Sequence, residues 1–435
     1  MIDNFNDLWT ILFGTAIIFA VMLFIFRKHV FHLLDPLLYY LIIQSFSIEL
    51  AFITIEDTHY LINFLFCQVF FMAGFFCFAG KPLQKTDFQS TKFFEKTNIN
   101  HLSVLKWYAI FAAFVLIAGN ILLMHSKGIA LFADDPSDAK VSNFSNGGGW
   151  GVIKRMNSGM LYFVGLSLIF LFLFKKRYRY ISICLLLLVI NALSGSKGAL
   201  LYFIFLISFY KCFVDIKSNP VVKEIKIGSY ILLIIAVLLA GIIVSATSED
   251  NSAQNKVFGL ATRFLFYGDA EIYYYDHSSI QHFANYNVFN FFSDEFNSIL
   301  GLFRLVPYRQ PVGFRLIDYY FNIDSETFGP NVPYYVKGNI YFGYYGALIF
   351  SFYTGAVIGF VRKFFYLLVR NGTTSIIYGL LIIHLNLIIF SFAQDSQLFI
   401  SNLFDTFTLS VPVAAFAGCL YIYNRRQQKL FFKTG

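Results

Sequence analysis

The sequence predicts an all-α polytopic membrane protein, and three observations carry that prediction. Of its 435 residues 57% are hydrophobic and only 13% are charged, a balance foreign to ordinary soluble domains. Apolar runs near the length that crosses a hydrocarbon core, about 17–25 residues, recur eleven times along the chain. Lysines and arginines gather in alternate connecting segments, the pattern left when basic loops stay in the cytoplasm.

Taken in order, the expected spans lie near 8–26, 33–55, 60–79, 105–124, 156–174, 180–196, 198–214, 227–246, 338–361, 374–393 and 403–423. The sixth and seventh are short and nearly contiguous. With the N-terminus outside, the inner loops are Arg27–His32, Lys81–Lys106, Lys175–Arg179, Lys211–Lys226, Arg362–Arg370 and Arg425–Lys433. They hold 22 of the 33 lysines and arginines and few of the acidic residues. The opposite orientation would reverse the rule in every loop, so the C-terminus is expected inside. The first span has no basic stretch before it and no small-residue cleavage site after it, and reads as a retained span. The net charge of +8 follows from this topology and calls for no nucleic-acid partner. Cys67, Cys77, Cys184, Cys212 and Cys419 all fall in or at the ends of spans. They are expected to pack as small apolar side chains, with no disulfide framework or metal site in the outer loops.

No internal repeat is visible, so the inverted-repeat signature of many secondary transporters is missing. The organisation is a single membrane domain, 1–435, with two outer excursions. The smaller, 125–155, contains Asp134-Asp135-Pro136 and Asn146-Gly147-Gly148-Gly149-Trp150-Gly151, then Lys154-Arg155. Its glycines suit a mobile turn, and equally a plain connector. The larger, 247–337, is mostly polar and rich in aromatics, which predicts a folded loop. Within it Phe289, Phe292, Phe296, Ile299, Leu300 and Phe303 recur at helical spacing, with Asn290, Asp294 and Asn297 on the other side. That pattern predicts an amphipathic helix lying at the membrane surface, delivering Arg304 and Arg309 beyond its end. A second helical run, from Val257 to Tyr274, carries Arg263 and Asp269.

Charge in this insertion is where chemistry on an anionic lipid substrate would have to occur. A guanidinium offers a rigid fork of donors matched to phosphate oxygens and stays charged at any relevant pH. Arg155, Arg263, Arg304, Arg309 and Arg315, with Lys197, are sufficient to neutralise a diphosphate. Each has the plainer alternative of pairing with a nearby carboxylate or a lipid headgroup. Ser194-Gly195-Ser196-Lys197-Gly198 lacks the spacing of a phosphate loop. It reads either as a helix N-terminus offering amides and a lysine to an anion or as a tight hairpin whose lysine snorkels. Asp269, Glu271, Asp276 and Asp318, or His277 and His282, could take a proton from a sugar hydroxyl, a structural ion pair being the default for each acid. Glu49, His384 and Asp405 stand inside spans, where ionisable groups are costly. His384 fits a neutral hydrogen-bond partner between helices. Tyr274, Tyr319 and Tyr320 suit sugar rings, whereas the tyrosines from Tyr341 onward are expected in an interfacial belt.

The segment from Arg304 to Arg315, the Gly329-Pro330-Asn331 turn and the spacing Gly338-x4-Gly343-x2-Gly346 resemble bacterial O-antigen and capsule repeat-unit polymerases of the Wzy type. Ser194-Gly195-Ser196-Lys197-Gly198 and Thr262-Arg263-Phe264 are similar to features of the same group. The likeness covers most of the chain by architecture, through short motifs. The arginine-x10-glycine spacing of some members does not follow Arg155, Arg263, Arg304 or Arg315.

The resemblance implies a bacterial inner-membrane enzyme with the all-helical fold of the C superfamily of glycosyltransferases, metal-independent, inverting and free of cofactors. Its substrates would be two polyprenyl-diphosphate-linked oligosaccharides, one donating its glycan and the other accepting through a hydroxyl. A chain-length regulator would be a further partner. On that reading Arg263, Arg304, Arg315, Arg309, Arg155 and Lys197 bind diphosphate. Asp269 and Asp318 are the leading bases, with Glu271 and His277 behind them, and Tyr274, Tyr319, Tyr320 and Asn331 meet sugar. The alternatives are an O-antigen ligase-type glycan transferase and a flippase for lipid-linked oligosaccharides.

Overall fold

The computed structural model describes residues 5–31, 35–83, 99–133, 151–194, 206, 270–307, 309–323, 329–373 and 375–431. Among them all regular structure is helical. The longer helices are α1 (Phe5–Phe26), α2 (Pro36–Thr54), α3 (Thr58–Phe78), α4 (Ile99–Lys127), α5 (Gly151–Lys175) and α6 (Arg179–Leu193). Five short helices follow: α7 (Ala270–Tyr274), α8 (His277–Phe283), α9 (Val288–Glu295), α10 (Asn297–Leu302) and α11 (Val312–Phe321). The chain ends with α12 (Tyr334–Asn371), α13 (Ile376–Ile388), α14 (Ser391–Gln394) and α15 (Ser396–Phe431). Eight stretches of the described residues are long and apolar enough to cross a membrane, by length and composition. The protein is therefore an α-helical, membrane-embedded chain. The expected spans at 198–214 and 227–246 lie outside the described residues, apart from Leu206. The sixth expected span is α6, whose 15 residues rise only about 22 Å.

The described residues fall into two compact units. One comprises Met1–Gln84, Val237–Tyr366 and Asn386–Ser401; the other comprises Lys85–Ala236, Leu367–Leu385 and Asn402–Gly435. In the first, α1 packs along α2. Helix α2 starts where it does because Asp35 accepts a hydrogen bond from the Leu37 amide at 2.9 Å and Pro36 fills the first position. Asp57 starts α3 the same way, accepting from the His59 amide at 2.8 Å. Helices α3 and α12 come into backbone contact at Gly74, Gly355 and Gly359, where any Cβ would strike the opposing main chain. Small residues at four-residue spacing are how helices approach closely in lipid.

A buried charge node ties the segment between α1 and α2 to α12 and α13. Arg362, fully buried, donates both terminal nitrogens to Asp35 at 3.0 and 2.9 Å. It also donates to the His29 carbonyl at 2.8 Å and to Asn386 Oδ1 at 3.1 Å. The rings of Phe31, Phe365, Tyr366 and Phe390 surround the guanidinium carbon at 5.1 to 5.9 Å. Asp35 is thus helix cap and counter-ion at once. Burial, and then the Arg362 charge, hold the His29 imidazole down at about 4, so it is neutral near pH 7.

Helix α12 is not continuous. Gly343 adopts φ 68° and ψ −174°, a backbone setting that L side chains rarely take. The result is two helices, 334–342 and 344–371, folded sharply on one another. Gly338 lies against Ala347 and the rings of Phe342 and Phe350 are 5.3 Å apart. In a straight helix nine residues would separate the first pair by about 13.5 Å. Asn63 of α3 donates to the Tyr344 carbonyl at 2.7 Å and accepts from Asn339 at 2.9 Å. The single span expected at 338–361 is accordingly a break followed by a long helix.

In the second unit α4 packs on α5 and α6. Asn120 and Asn157 exchange amide hydrogen bonds, each 2.8 Å. Asp405 pairs with Arg155 at 2.8 Å. His384 Nε2 lies 3.3 Å from the Thr406 hydroxyl, which donates to the Gly159 carbonyl at 2.7 Å. Of the cysteines expected to be buried, Cys67 and Cys184 are, whereas Cys77 and Cys419 are exposed. They lie in helices whose outward faces are apolar, where a thiol needs no cover from the protein.

Candidate functional site

The site is built around α9. Asn287 caps this helix, accepting from the amides of Phe289 and Asn290 at 2.9 and 3.3 Å, while Asn290 Oδ1 accepts from the Asn287 amide at 3.1 Å. This reciprocal cap fixes the helix start and spends the Asn290 oxygen, leaving its amide N–H groups for the space beyond. The expected helix from Phe289 to Phe303 is two helices, divided at Phe296. Its amphipathicity runs apolar side out. Phe289 is 82% exposed, and Phe292, Phe303 and Leu305 are also exposed, whereas Asp294, Glu295 and Asn297 are buried.

Those buried groups organise everything around them. Asp294 Oδ2 accepts from Arg315 Nη2 at 2.5 Å and from the Tyr341 hydroxyl at 2.6 Å. Glu295, the next residue, points to a different partner and accepts from Lys337 Nζ at 2.6 Å. Lys337 and Tyr341 are one turn apart on the 334–342 segment, so they share a face. Two adjacent acids thereby grip two successive turns. Lys337, 1% exposed, also donates to Ser396 Oγ at 2.9 Å and lies 3.4 Å from Asp395. Burial pushes the Glu295 carboxyl above its ordinary value, against the pull of Lys337.

Asn297 shapes the loop that follows. It donates to the Pro307 carbonyl at 3.1 Å and accepts from the Arg309 amide at 2.9 Å. Arg309 is thereby carried to within 3.7 Å of Asp294 Oδ1, its side chain still half exposed. Arg315 is presented by α11. The turn at Gly329 and Pro330 seats against this helix because neither Gly313 nor Gly329 has a Cβ to collide with it. Arg315 Nη1 donates to the Tyr286 hydroxyl at 2.9 Å. Burial alone would weaken its hold on a proton, but Tyr341 and Asp294 more than offset this, so it stays charged.

An open pocket of about 420 Å³ is lined by Asn285, Tyr286, Asn290, Arg309, Gln310 and Arg315. Two guanidinium groups face it and one carboxylate, Asp294, sits behind them. The lining is rich in N–H donors and carries net positive charge. Chemically it suits a ligand that combines an anionic group with hydroxyl or carbonyl acceptors.

Of the candidates read from the sequence, Arg309 and Arg315 meet at this pocket. Arg304, which follows α10 in the left-handed region at φ 56°, is exposed and does not line it. Arg155 belongs to the second unit and pairs with Asp405. Glu271 is fully buried and accepts from the Tyr335 hydroxyl, a structural pairing away from the pocket lining. His277 is exposed on α8 and lies 2.9 Å from Gln281 Nε2. Asp318 is partly buried on α11, three residues beyond Arg315. Tyr274 is buried, and that burial holds its hydroxyl up against ionisation, so its ring offers no free face. Tyr319 is exposed and stacks on His282 at 3.9 Å, and Tyr320 sits edge-on to Tyr273. Asn331 is partly buried in the turn before α12. Arg263, Asp269 and Lys197 lie outside the described residues, as does most of the Val257 to Tyr274 run.

Sequence reasoning passed over Asn285, Tyr286, Asn290 and Gln310. It also placed Tyr341 in an interfacial belt, whereas Tyr341 is buried on Asp294. A usable signal existed in Asn287-x-x-Asn290, a reciprocal cap opening an apolar run, and in two adjacent acids within that run. Compared with protein-family models, curated proteins and solved structures, the chain matches none.

Proposed function

We propose that this protein is a membrane glycosyltransferase that polymerises oligosaccharide repeat units carried on polyprenyl diphosphate. The growing glycan passes from its lipid diphosphate to a hydroxyl of a new unit. The carrying observation is the pocket itself, where Arg309 and Arg315 face the same space as three side-chain amides and a tyrosine. Diphosphate oxygens are acceptors that match the guanidinium fork, and sugar hydroxyls suit the amides. Asp318, on the same helix as Arg315, is the acid assigned to the acceptor hydroxyl. Arg263 and Arg304 are assigned with Arg315 to the donor diphosphate, and Arg155 and Lys197 to either lipid carrier.

In this reading the chain crosses a bacterial inner membrane eleven times, with a C-superfamily glycosyltransferase fold, the N-terminus outside and the pocket on the outer face. Two groupings in the first unit support that topology. The expected inner loops Arg27–His32 and Arg362–Arg370 meet where Arg362 binds the His29 carbonyl. On the other side, Tyr60, at the outer end of α3, lies against Tyr275 of the insertion, their rings 5.9 Å apart.

The test is a polysaccharide ladder from cells whose only copy of the protein carries Arg309→Ala or Arg315→Ala. Losing one charge-assisted contact of about 1.5–3 kcal/mol slows transfer roughly tenfold to a hundredfold. Ladders should shorten or vanish at normal protein level. Wild-type ladders from both variants would remove the site assignment. Deletion separates the alternatives by product. Polymerase loss leaves single capped repeats, ligase loss accumulates long lipid-linked polymer, and flippase loss traps repeats on the inner face.

A further inference from the structure

We propose that Asp294 is the positioning residue of the pocket, holding Arg315 in the orientation that receives an anionic group and linking that orientation to the break at Gly343. The proposal rests on the anion-binding reading of the pocket given above.

Asp294 lies behind the pocket, 3% exposed, and does not line it. It acts through its neighbours. Its Oδ2 accepts a hydrogen bond from Arg315 Nη2, and the Tyr286 hydroxyl accepts one from Nη1. Two bonds at opposite ends of the terminal pair fix the plane of a guanidinium. Among the described residues they leave three of its five N–H groups uncommitted, among them Nε–H, which is buried without a hydrogen-bond partner there. Asp294 Oδ1 likewise has no hydrogen-bond partner among the described residues, and Arg309 Nη1 lies 3.7 Å from it. A guanidinium so held loses little freedom when a ligand arrives, which is how a supporting residue raises affinity. The same Oδ2 accepts from Tyr341, two residues before Gly343. A shift at the break therefore moves the carboxylate and the arginine it holds.

Charge and orientation make opposite forecasts here. Asp294→Asn removes a negative charge from behind two arginines. If the pocket attracted anions by charge alone, binding would tighten. If Asp294 orients Arg315, binding weakens, because the neutral amide holds the guanidinium less firmly.

The experiment is calorimetric titration of the purified full-length protein in detergent with inorganic diphosphate. The comparison includes wild type, Asp294→Asn, Tyr341→Phe and Arg315→Gln. Asp294→Asn should weaken binding by about tenfold and Tyr341→Phe by about threefold, both at unchanged stoichiometry, and Arg315→Gln should abolish it. A purely structural role would instead lower the binding-competent fraction and leave Kd unchanged, which overturns the proposal. So does an Asp294→Asn protein that binds as tightly as wild type or more so, and in that case the anion reading stands. Wild type that binds no diphosphate overturns the anion reading and the proposal together. Should Asp294→Asn fail to fold, Tyr341→Phe decides, since it keeps every charge. Weaker binding supports the proposal and unchanged binding overturns it.

Discussion

Arg362→Ala is expected to destabilise the protein by about 3–5 kcal/mol, the cost of leaving a buried charge without its partner. Arg362 and Asp35 are both fully buried, so the stranded carboxylate has no water to turn to. Among the described residues it would keep the amides of Leu37 and Phe31, at 2.9 and 3.2 Å. The same change removes a donor from the Asn386 side chain and from the His29 carbonyl, which keeps the Tyr366 hydroxyl at 3.2 Å, and empties the space between four aromatic rings. Thermal unfolding in detergent, followed by near-ultraviolet circular dichroism, should show a much lower midpoint or no cooperative transition. Arg362→Lys should recover only part of the loss, since a point charge cannot make the paired contact. Arg362→Met with Asp35→Asn should recover more than either single change. A wild-type midpoint for Arg362→Ala would show that the node contributes nothing.

Lys337→Met is expected to cost a similar amount, about 3–5 kcal/mol, and to do so in a pH-dependent way. It keeps the apolar stem but strands Glu295, which is buried beside Lys337, with Asp395 nearby. Burial already holds Glu295 above its ordinary value and Lys337 opposes that rise, so the substitution lifts it further. A carboxyl whose folded value is raised binds its proton more tightly folded than unfolded. The variant should therefore be least impaired at low pH and lose stability as pH climbs above about 4.5. Adding Glu295→Gln should remove most of both the loss and its pH dependence. Midpoints at pH 5 and pH 8 decide the matter, and an equal deficit at both would contradict the assignment. Lys337 fastens the short helix that ends at Gly343, so transfer activity should fall as well.

How much of this was legible beforehand depends on whether the signal was local. The spans announce themselves by length, and eight of the expected ones correspond to stretches of suitable length and apolarity. The helical period from Phe289 was equally plain, and Arg309 and Arg315, singled out in the sequence, do line one pocket. The period alone did not say which way the helix faces. In water the apolar side turns in; beside a bilayer it can turn out, and here Asp294 and Glu295 turn in because Arg315 and Lys337 wait for them. The glycines at 338, 343 and 346 were visible, but only the folded backbone, with Gly343 at φ 68°, tells which one breaks the helix. Pairings such as Arg362 with Asp35, 327 residues apart in sequence, leave no local trace. Glu271 shows the converse: near arginines in sequence, it is committed to Tyr335.

The central claim is bond formation between lipid-linked glycans, and one measurement meets it directly. Purified protein in detergent or vesicles is incubated with synthetic polyprenyl-diphosphate-linked repeat units, with and without a chelator, and the products are sized. A ladder of polymer in both conditions, lost in Arg309→Ala and Arg315→Ala, is the expected result. Repeat units that stay single, or that only change leaflet without a new glycosidic bond, would contradict the account.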